Sequence, residues 1–498
     1  MNDRSDQSER MSSGPQGLAA STGRGVAYAG VSVVCARFSS LIAQVVLGWL
    51  LAKDDFAVFA VAIGISQLAE ALKHGGVLGL FQQRPNDFPD LIAPGVRVAL
   101  SADLVIMGVM AVIALPMAHF YGMAELAPML WIAAASVLLS LPGLRYRGAV
   151  ARTRQFKEAA IADGSQAVAR AAFAIVFALL GFGPLSFVMG LPVVAILDWL
   201  ILRRWVVVPT GTISGAIGSR DLLKPAFWIL VATVGTVLLS GTIEYLVLGR
   251  MFSEDMLANY FFGFQLTLAV STLFAGSVRS VLMPSFGALA EDPARQTSAL
   301  TRSLNGLTVS TSIALLLGSA IASPLIEVIW QGKWDGAGFV AMVLLAVLPA
   351  RLNLLVARSF IEARGKWSLS ALFTWTEGLG SLVVTIVLAL QDRLDVLVIG
   401  IGIYKLVMAL LILGIIARMA PVPLLRLANV LLVPYVTGIV CVAISVWLQE
   451  VAVEWNVFLR ILLGAVSFLV SYVVLAAVFM RRRHMETFRM AKGIASSR

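Results

Sequence analysis

Charge is scarce in this chain: 13% of its 498 residues are Asp, Glu, Lys or Arg, against 59% apolar. That balance excludes an ordinary soluble protein, whose cores need far less apolar sequence. Cysteine is scarcer still. Cys35 and Cys441 both lie inside apolar runs with no cysteine motif around them, so neither a disulfide framework nor a thiolate metal site has its residues. No GxxxxGK[ST] phosphate loop and no HExxH occurs, so no nucleotide, cofactor or metal is expected and the chain does not read as an enzyme. The alternation of polar and apolar residues that a membrane barrel requires is missing from the apolar runs. Residues 1–24 are polar and mixed in charge, without the apolar core of a signal peptide, and read as a disordered cytoplasmic leader. No connection between apolar runs is long enough to fold as a domain, which puts any functional residue in the helices or close to them.

What is abundant is apolar sequence in runs long enough to cross roughly 30 Å of hydrocarbon as helices. The fold class is therefore an all-α polytopic membrane protein. Fourteen spans are expected, at about 25–51, 56–82, 91–117, 125–144, 158–181, 184–202, 225–250, 255–283, 301–323, 337–361, 367–390, 394–417, 427–448 and 457–480. Lys and Arg alternate loop by loop in this register. One set of connections holds Arg145, Arg147, Arg152, Arg203, Arg204, Arg220 and Arg418; the other is dominated by acids such as Asp54, Asp55, Glu254, Asp255 and Glu450. The positive-inside rule then predicts both termini in the cytoplasm. The net charge of +10 is spread over these loops and the tail instead of gathered on one soluble face, so nucleic acid is not an expected partner.

The chain also repeats itself. Val46-Leu47-Gly48, Asp54, Ala57 and Gly75 return 201 positions later as Val247-Leu248-Gly249, Asp255, Ala258 and Gly276, and Leu141-Pro142 is echoed by Leu348-Pro349. Six spans per copy give the copies one orientation. Parallel repeats of this kind predict two six-helix lobes around a central cavity, with the substrate held between them. The expected organisation is a leader at 1–24, an N-terminal lobe at 25–215, a C-terminal lobe at 216–420, an extra helix pair at 421–480 and a basic tail at 481–498.

The charges inside the spans do not repeat. At the same offset Arg37 falls on Leu238, Glu70 on Ser271, Lys73 on Phe274 and His74 on Ala275. A charge near the bilayer midplane costs roughly 2.5–3.5 kcal/mol, so it normally faces a partner or a cavity. Glu70, Lys73 and His74 are spaced to share one helical face. Since the second copy builds its helix without them, Arg37 and Lys73 are expected to face the cavity, where a guanidinium fork and an ammonium suit an anionic ligand. Glu377 and Lys405 lie near mid-depth on adjacent spans and are expected either to pair or to couple transport to an ion; Asp103 with Arg97 poses the same choice. Arg279 and Arg351 sit towards the ends of their spans, where snorkelling or capture of an anionic headgroup are both open.

The opening stretch resembles a known family. The turn Lys53-Asp54-Asp55-Phe56-Ala57-Val58-Phe59, the run Gly75-Gly76-Val77-Leu78-Gly79-Leu80-Phe81-Gln82-Gln83-Arg84, Val281-Leu282-Met283-Pro284 and Glu362-Ala363-Arg364-Gly365-Lys366 are similar to bacterial polysaccharide flippases. These Wzx-like proteins belong to the multidrug/oligosaccharidyl-lipid/polysaccharide exporter superfamily. The turn departs from the family in carrying Ala57 where Gly is usual. The resemblance implies alternating access in the bacterial inner membrane, moving an undecaprenyl-diphosphate-linked oligosaccharide to the periplasmic leaflet for exopolysaccharide, capsule or O-antigen synthesis. It further implies membrane lipids, and a polysaccharide polymerase and export machinery, as partners. Arg37, Lys73, His74, Glu70, Arg279 and Arg351 would line the substrate cavity, and Asp103, Glu377 and Lys405 would serve ion coupling. The extra helix pair would form a groove for the lipid tail. A drug or organic-cation antiporter, a lipid II flippase and a membrane-embedded polymerase are the alternatives.

Overall fold

In a computed structural model, residues 15–84, 86–153, 155–208, 218–289, 292–420 and 422–479 are described. Among them the chain is helical, with no strand: α1 Pro15–Leu50, α2 Lys53–Leu72, α3 Val77–Gln83, α4 Phe88–Tyr121, α5 Leu126–Leu139, α6 Leu141–Thr153, α7 Phe156–Leu179, α8 Ser186–Trp205, α9 Ser219–Ser240, α10 Glu244–Met251, α11 Glu254–Ala288, α12 Pro293–Trp330, α13 Asp335–Ala363, α14 Trp367–Ala389, α15 Leu394–Met419, α16 Leu424–Val451 and α17 Val457–Phe479. The leader expected at 1–24 is corrected in part. Its residues 15–24 already belong to α1, while 1–14 lie outside the described residues, as does the basic tail at 481–498.

Eleven helices are long and apolar enough to span a membrane, or twelve when the bent pair α5–α6, turned by 50°, is counted as one. The two further expected spans, at about 225–250 and 255–283, are helical where described. One is divided: α9 ends at Ser240, Gly241 takes φ 79°, and α10 begins at Glu244. The other is α11, a single 35-residue helix.

Contacts divide the chain into two units. The first comprises 1–47, 68–119 and 124–233; the second comprises 48–67, 120–123 and 234–498. In the first, α8 packs on α5, α6 and α7, and α3 packs on α6. Its core joins Val77, Phe81 and Phe88 to Leu144, Ala162 and Leu202. In the second, α13 packs on α11, α12 and α15, while α16 and α17 pack on α12 and on each other. Close approach of α11 to α13 depends on Gly263: a Cβ there would stand 2.6 Å from the Ala337 carbonyl oxygen.

Helix ends in the second unit follow elementary capping rules. Ser253 accepts from the Met256 amide at the start of α11, and Asp292 accepts from the Arg295 amide at the start of α12, with Pro293 in the first turn where its missing N–H costs nothing. The last carbonyls of α1 are met by a cation. Lys333 Nζ donates to Gly48 O at 3.0 Å and Leu51 O at 2.5 Å, and Trp334 Nε1 donates to Gly48 O at 3.1 Å. Burial pulls the Lys333 pKa below that of a free lysine, with Asp55 opposing the fall. Phe262 stacks on Trp334 with centroids 4.0 Å apart, which completes the plug around this turn.

The duplication is visible in the backbone. α2 begins at Lys53 and α11 at Glu254, the same 201-residue offset that relates their sequences. The two copies then differ in where they break. In the first, α1 is continuous and its neighbour breaks at Lys73–Gly76, where His74, Gly75 and Gly76 have φ of 59°, 57° and 73°. In the second, α11 runs unbroken through the equivalent positions, and the break moves to 241–243 between α9 and α10.

Candidate functional site

Both breaks lie beside buried charge. In the first unit α2 ends at Leu72, and the left-handed turn that follows separates three residues expected on one face. Lys73 Nζ pairs with Glu70 Oε1, one 3₁₀ turn back, and Glu70 also faces Arg170 electrostatically. His74 turns the other way. Its amide donates to Asp103 Oδ1 at 2.6 Å, its Nδ1 lies 2.7 Å from Asp103 Oδ2, and its Nε2 lies 3.4 Å from Ser140 Oγ. Asp103 is 0% exposed. It therefore holds the broken turn, and among the described residues no ion pair joins it to Arg97, the partner its pairing alternative offers. A buried carboxylate that receives a backbone N–H and a ring nitrogen is satisfied where it stands.

Arg37 is half-buried on α1, and its Nε has no hydrogen-bond partner among the described residues. The first unit's membrane-depth charges thus include Arg37, Lys73 and Arg170 against Glu70 and the His74-held Asp103, an excess of one cation. A separate knot in the same unit was hidden in the positive-inside pattern. Arg147 makes a bidentate pair with Asp198, at 2.7 and 3.1 Å, and reaches Asp163 Oδ1 at 2.7 Å, while Gln166 donates to Asp198 Oδ1 at 2.8 Å. Asp198 lies inside an apolar run, so the test that singled out Asp103 would have found it.

In the second unit the break places Glu244 in the first turn of α10, where the helix dipole favours an anion. Glu244 is 2% exposed. It accepts from Tyr260 Oη at 2.8 Å and from Ser381 Oγ at 2.5 Å, tying α10 to α11 and α14. Sequence reasoning passed over it, although it is an acid within the run at 225–250. Glu377 is corrected. It pairs with Arg358 at 2.6 Å, not with Lys405. The reason is geometric: Arg358 on α13 reaches across to Glu377 on α14. Lys405 is 5% exposed on α15 and feels Arg351, Glu244 and Glu377 electrostatically without an ion pair of its own among the described residues. Arg351 is half-buried on α13. Arg279 lies on α11, and its side chain falls outside the described residues.

The second unit also holds an apolar cavity of about 150 Å³. α15 and α16 form its walls through residues such as Leu410, Leu413, Leu432 and Tyr435, and α12 and α13 form its floor through Thr308 and Asn353. Asn353 donates to Thr308 Oγ1 at 2.9 Å, and its Oδ1 has no hydrogen-bond partner among the described residues. Among the described residues, none of the lining belongs to α17.

The same fold occurs in proteins of distant sequence. A lipid II flippase MurJ in an inward-closed conformation superposes with a TM-score of 0.68 at 14% identity, covering 91% of this chain and 98% of its own. An inward-facing MATE multidrug resistance transporter of the MOP superfamily gives 0.61 at 16% identity, covering 79% and 95%. A MOP superfamily transporter from Pyrococcus furiosus, described as having a binding pocket of reverse polarity, gives 0.50 at 15% identity over 82% and 96%. No curated protein sequence matches the chain. The model of one family, described as polysaccharide biosynthesis protein, matches residues 46–338, more than half of the sequence and both helix breaks. The chain is a multi-pass membrane protein that belongs to the polysaccharide biosynthesis protein family and has the fold of the multidrug/oligosaccharidyl-lipid/polysaccharide exporter superfamily.

Proposed function

We propose that this protein is a flippase that carries undecaprenyl-diphosphate-linked oligosaccharides from the cytoplasmic to the periplasmic leaflet of the bacterial inner membrane by alternating access, with both termini cytoplasmic. The observation that carries this reading is the excess of Arg37, Lys73 and Arg170 over Glu70 and Asp103 in the first unit of a chain from a polysaccharide biosynthesis family, together with the Arg37 Nε that has no hydrogen-bond partner among the described residues. An intramembrane cation without a fixed partner is retained where an anion visits. Arg37 would engage the diphosphate, with Lys73, Glu70 and His74 shaping the turn beside it; Arg279 and Arg351 would receive the headgroup. The apolar cavity in the second unit suits an isoprenoid tail. Its walls support a role for α16, while α17 would act by buttressing α16 and α12.

A drug or organic-cation antiporter of the same fold needs carboxylates free to meet a cation. The buried carboxylates argue against this: Asp103 is held by His74, Glu377 by Arg358, and Glu244 by two hydroxyls. Deleting the gene and extracting lipid-linked sugars separates the classes. Accumulation of an undecaprenyl-linked repeat unit on the inner leaflet is expected; normal export accompanied by altered sensitivity to cationic dyes would point to the antiporter instead.

A further inference from the structure

One oxygen in the second unit's cavity is left over. Both amide hydrogens of Asn353 are in use, one on Thr308 Oγ1 at 2.9 Å and one on the Pro349 carbonyl at 3.0 Å. Thr308 in turn donates its single hydroxyl hydrogen to the Leu304 carbonyl at 2.6 Å. A flipped amide would set the Asn353 oxygen against two acceptors, so the orientation is fixed. Asn353 Oδ1 consequently has no hydrogen-bond partner among the described residues, although the side chain lines the cavity and the residue is only 5% exposed. A buried carbonyl oxygen without a donor is costly, and hydrocarbon offers it none.

The surroundings select what can supply that donor. Asn353, Leu410 and Tyr435 each lie roughly 15 Å inside the nearer end of their helix at 1.5 Å per residue, which is hydrocarbon depth in a spanning helix. Around the oxygen the walls are aliphatic, with Leu354, Ala409, Ile412 and Leu413 among them. One neutral oxygen in such walls cannot hold an ion or a sugar. Leu410, Leu432 and Val436 line the cavity and are also exposed on the outside of the helices, so the space opens towards the bilayer. Its volume of about 150 Å³ is that of an apolar protein cavity that takes a benzene ring. Isoprenoid methyls would cover the walls yet leave the oxygen unanswered.

We propose that this cavity is a binding site for a small apolar molecule carrying one hydroxyl, of the size of phenol, which enters from the bilayer and donates to Asn353 Oδ1. The site is separate from the charged positions that would meet the diphosphate, and binding there does not depend on what the protein carries. A further consequence does rest on the flippase reading: the occupant fills space suited to the isoprenoid tail, competes with it, and slows flipping.

Fluorine NMR on the full chain in detergent tests the site with para-fluorophenol and its hydroxyl-free counterpart para-fluorotoluene. Wild-type protein should give a saturable bound signal and, once partition into empty micelles is subtracted, prefer the phenol about tenfold, the factor that one buried hydrogen bond supplies. Ala409→Phe, which fills the cavity, should abolish binding of both probes. Asn353→Leu should still bind para-fluorotoluene but lose the preference; should that variant fail to fold, the wild-type preference and Ala409→Phe decide the matter. Equal binding of the two probes to wild-type protein would make the cavity a site for any apolar chain, and no saturable signal would leave the oxygen to water. Either result overturns the proposal with the flippase reading intact. In proteoliposomes, para-fluorophenol should slow wild-type flipping of undecaprenyl-diphosphate-linked saccharide at about a tenth of the concentration needed against Asn353→Leu. Flipping unchanged at saturating phenol would overturn the competition alone, whereas wild-type vesicles that never flip the saccharide would remove the flippase reading and leave the binding result standing.

Discussion

At the scale of single residues, the chain separates charges that are answered from charges that are not. Arg358 and Glu377 are answered by each other at 2.6 Å, and both are largely buried. Truncating one leaves the other stranded, at a cost of about 3–5 kcal/mol, whereas replacing both by apolar residues of similar size is often neutral. Arg358→Ala should therefore lower the Tm of the purified protein in detergent, and the pair Arg358→Met with Glu377→Leu should recover most of the loss; equal loss in both would mean that the pair does not act as a unit. Arg37 is the opposite case. Its buried Nε has no hydrogen-bond partner among the described residues, so folding draws little from it. Arg37→Ala should keep expression and Tm near wild type while abolishing export of the saccharide, measured by complementation of the deletion strain. The sequence marked Arg37, Asp103, Glu377 and Lys405 as charges out of place, because hydropathy alone exposes them. It did not say which charge meets which. Spacing presumes a continuous helix, and at His74 the backbone turns left-handed, sending the ring to Asp103 instead of along the Glu70 face.

At the scale of elements, the duplicated part of the fold was legible and the breaks were not. The shared offset fixes where α2 and α11 start, since an acidic first turn after a short connection is a local signal. A break within an apolar run has no such signature. Glycines at 75, 76 and 241 permit the positive φ, yet glycine is also plentiful in unbroken membrane helices, where it serves close packing. Gly263 shows that second use. A methyl there would press on the Ala337 carbonyl and on Val340, while a methyl on Gly306 would meet nothing within 4 Å. Gly263→Ala should cost about 1–3 kcal/mol through forced separation of α11 from α13. Gly306→Ala should leave the Tm unchanged or slightly raised. Equal effects of the two would detach Gly263 from the helix contact.

At the scale of the whole molecule, composition settles the solvent and the family match settles the kinship; the proposed cargo rests on charge. Two copies of one scaffold hold their breaks at different places and their charges beside the breaks. Discontinuous helices in transporters mark the region where backbone and charge meet a ligand. In this chain the first copy's break lies beside Lys73, Glu70, His74 and Asp103, and the second copy's break lies beside Glu244. The most direct measurement is the sidedness of undecaprenyl-diphosphate-linked saccharide in proteoliposomes of the purified chain, read by an impermeant reagent that modifies only the outer leaflet. The account predicts that wild-type protein brings the whole pool within reach of the reagent while Arg37→Ala leaves half of it protected; protection unchanged by the wild-type protein would contradict it.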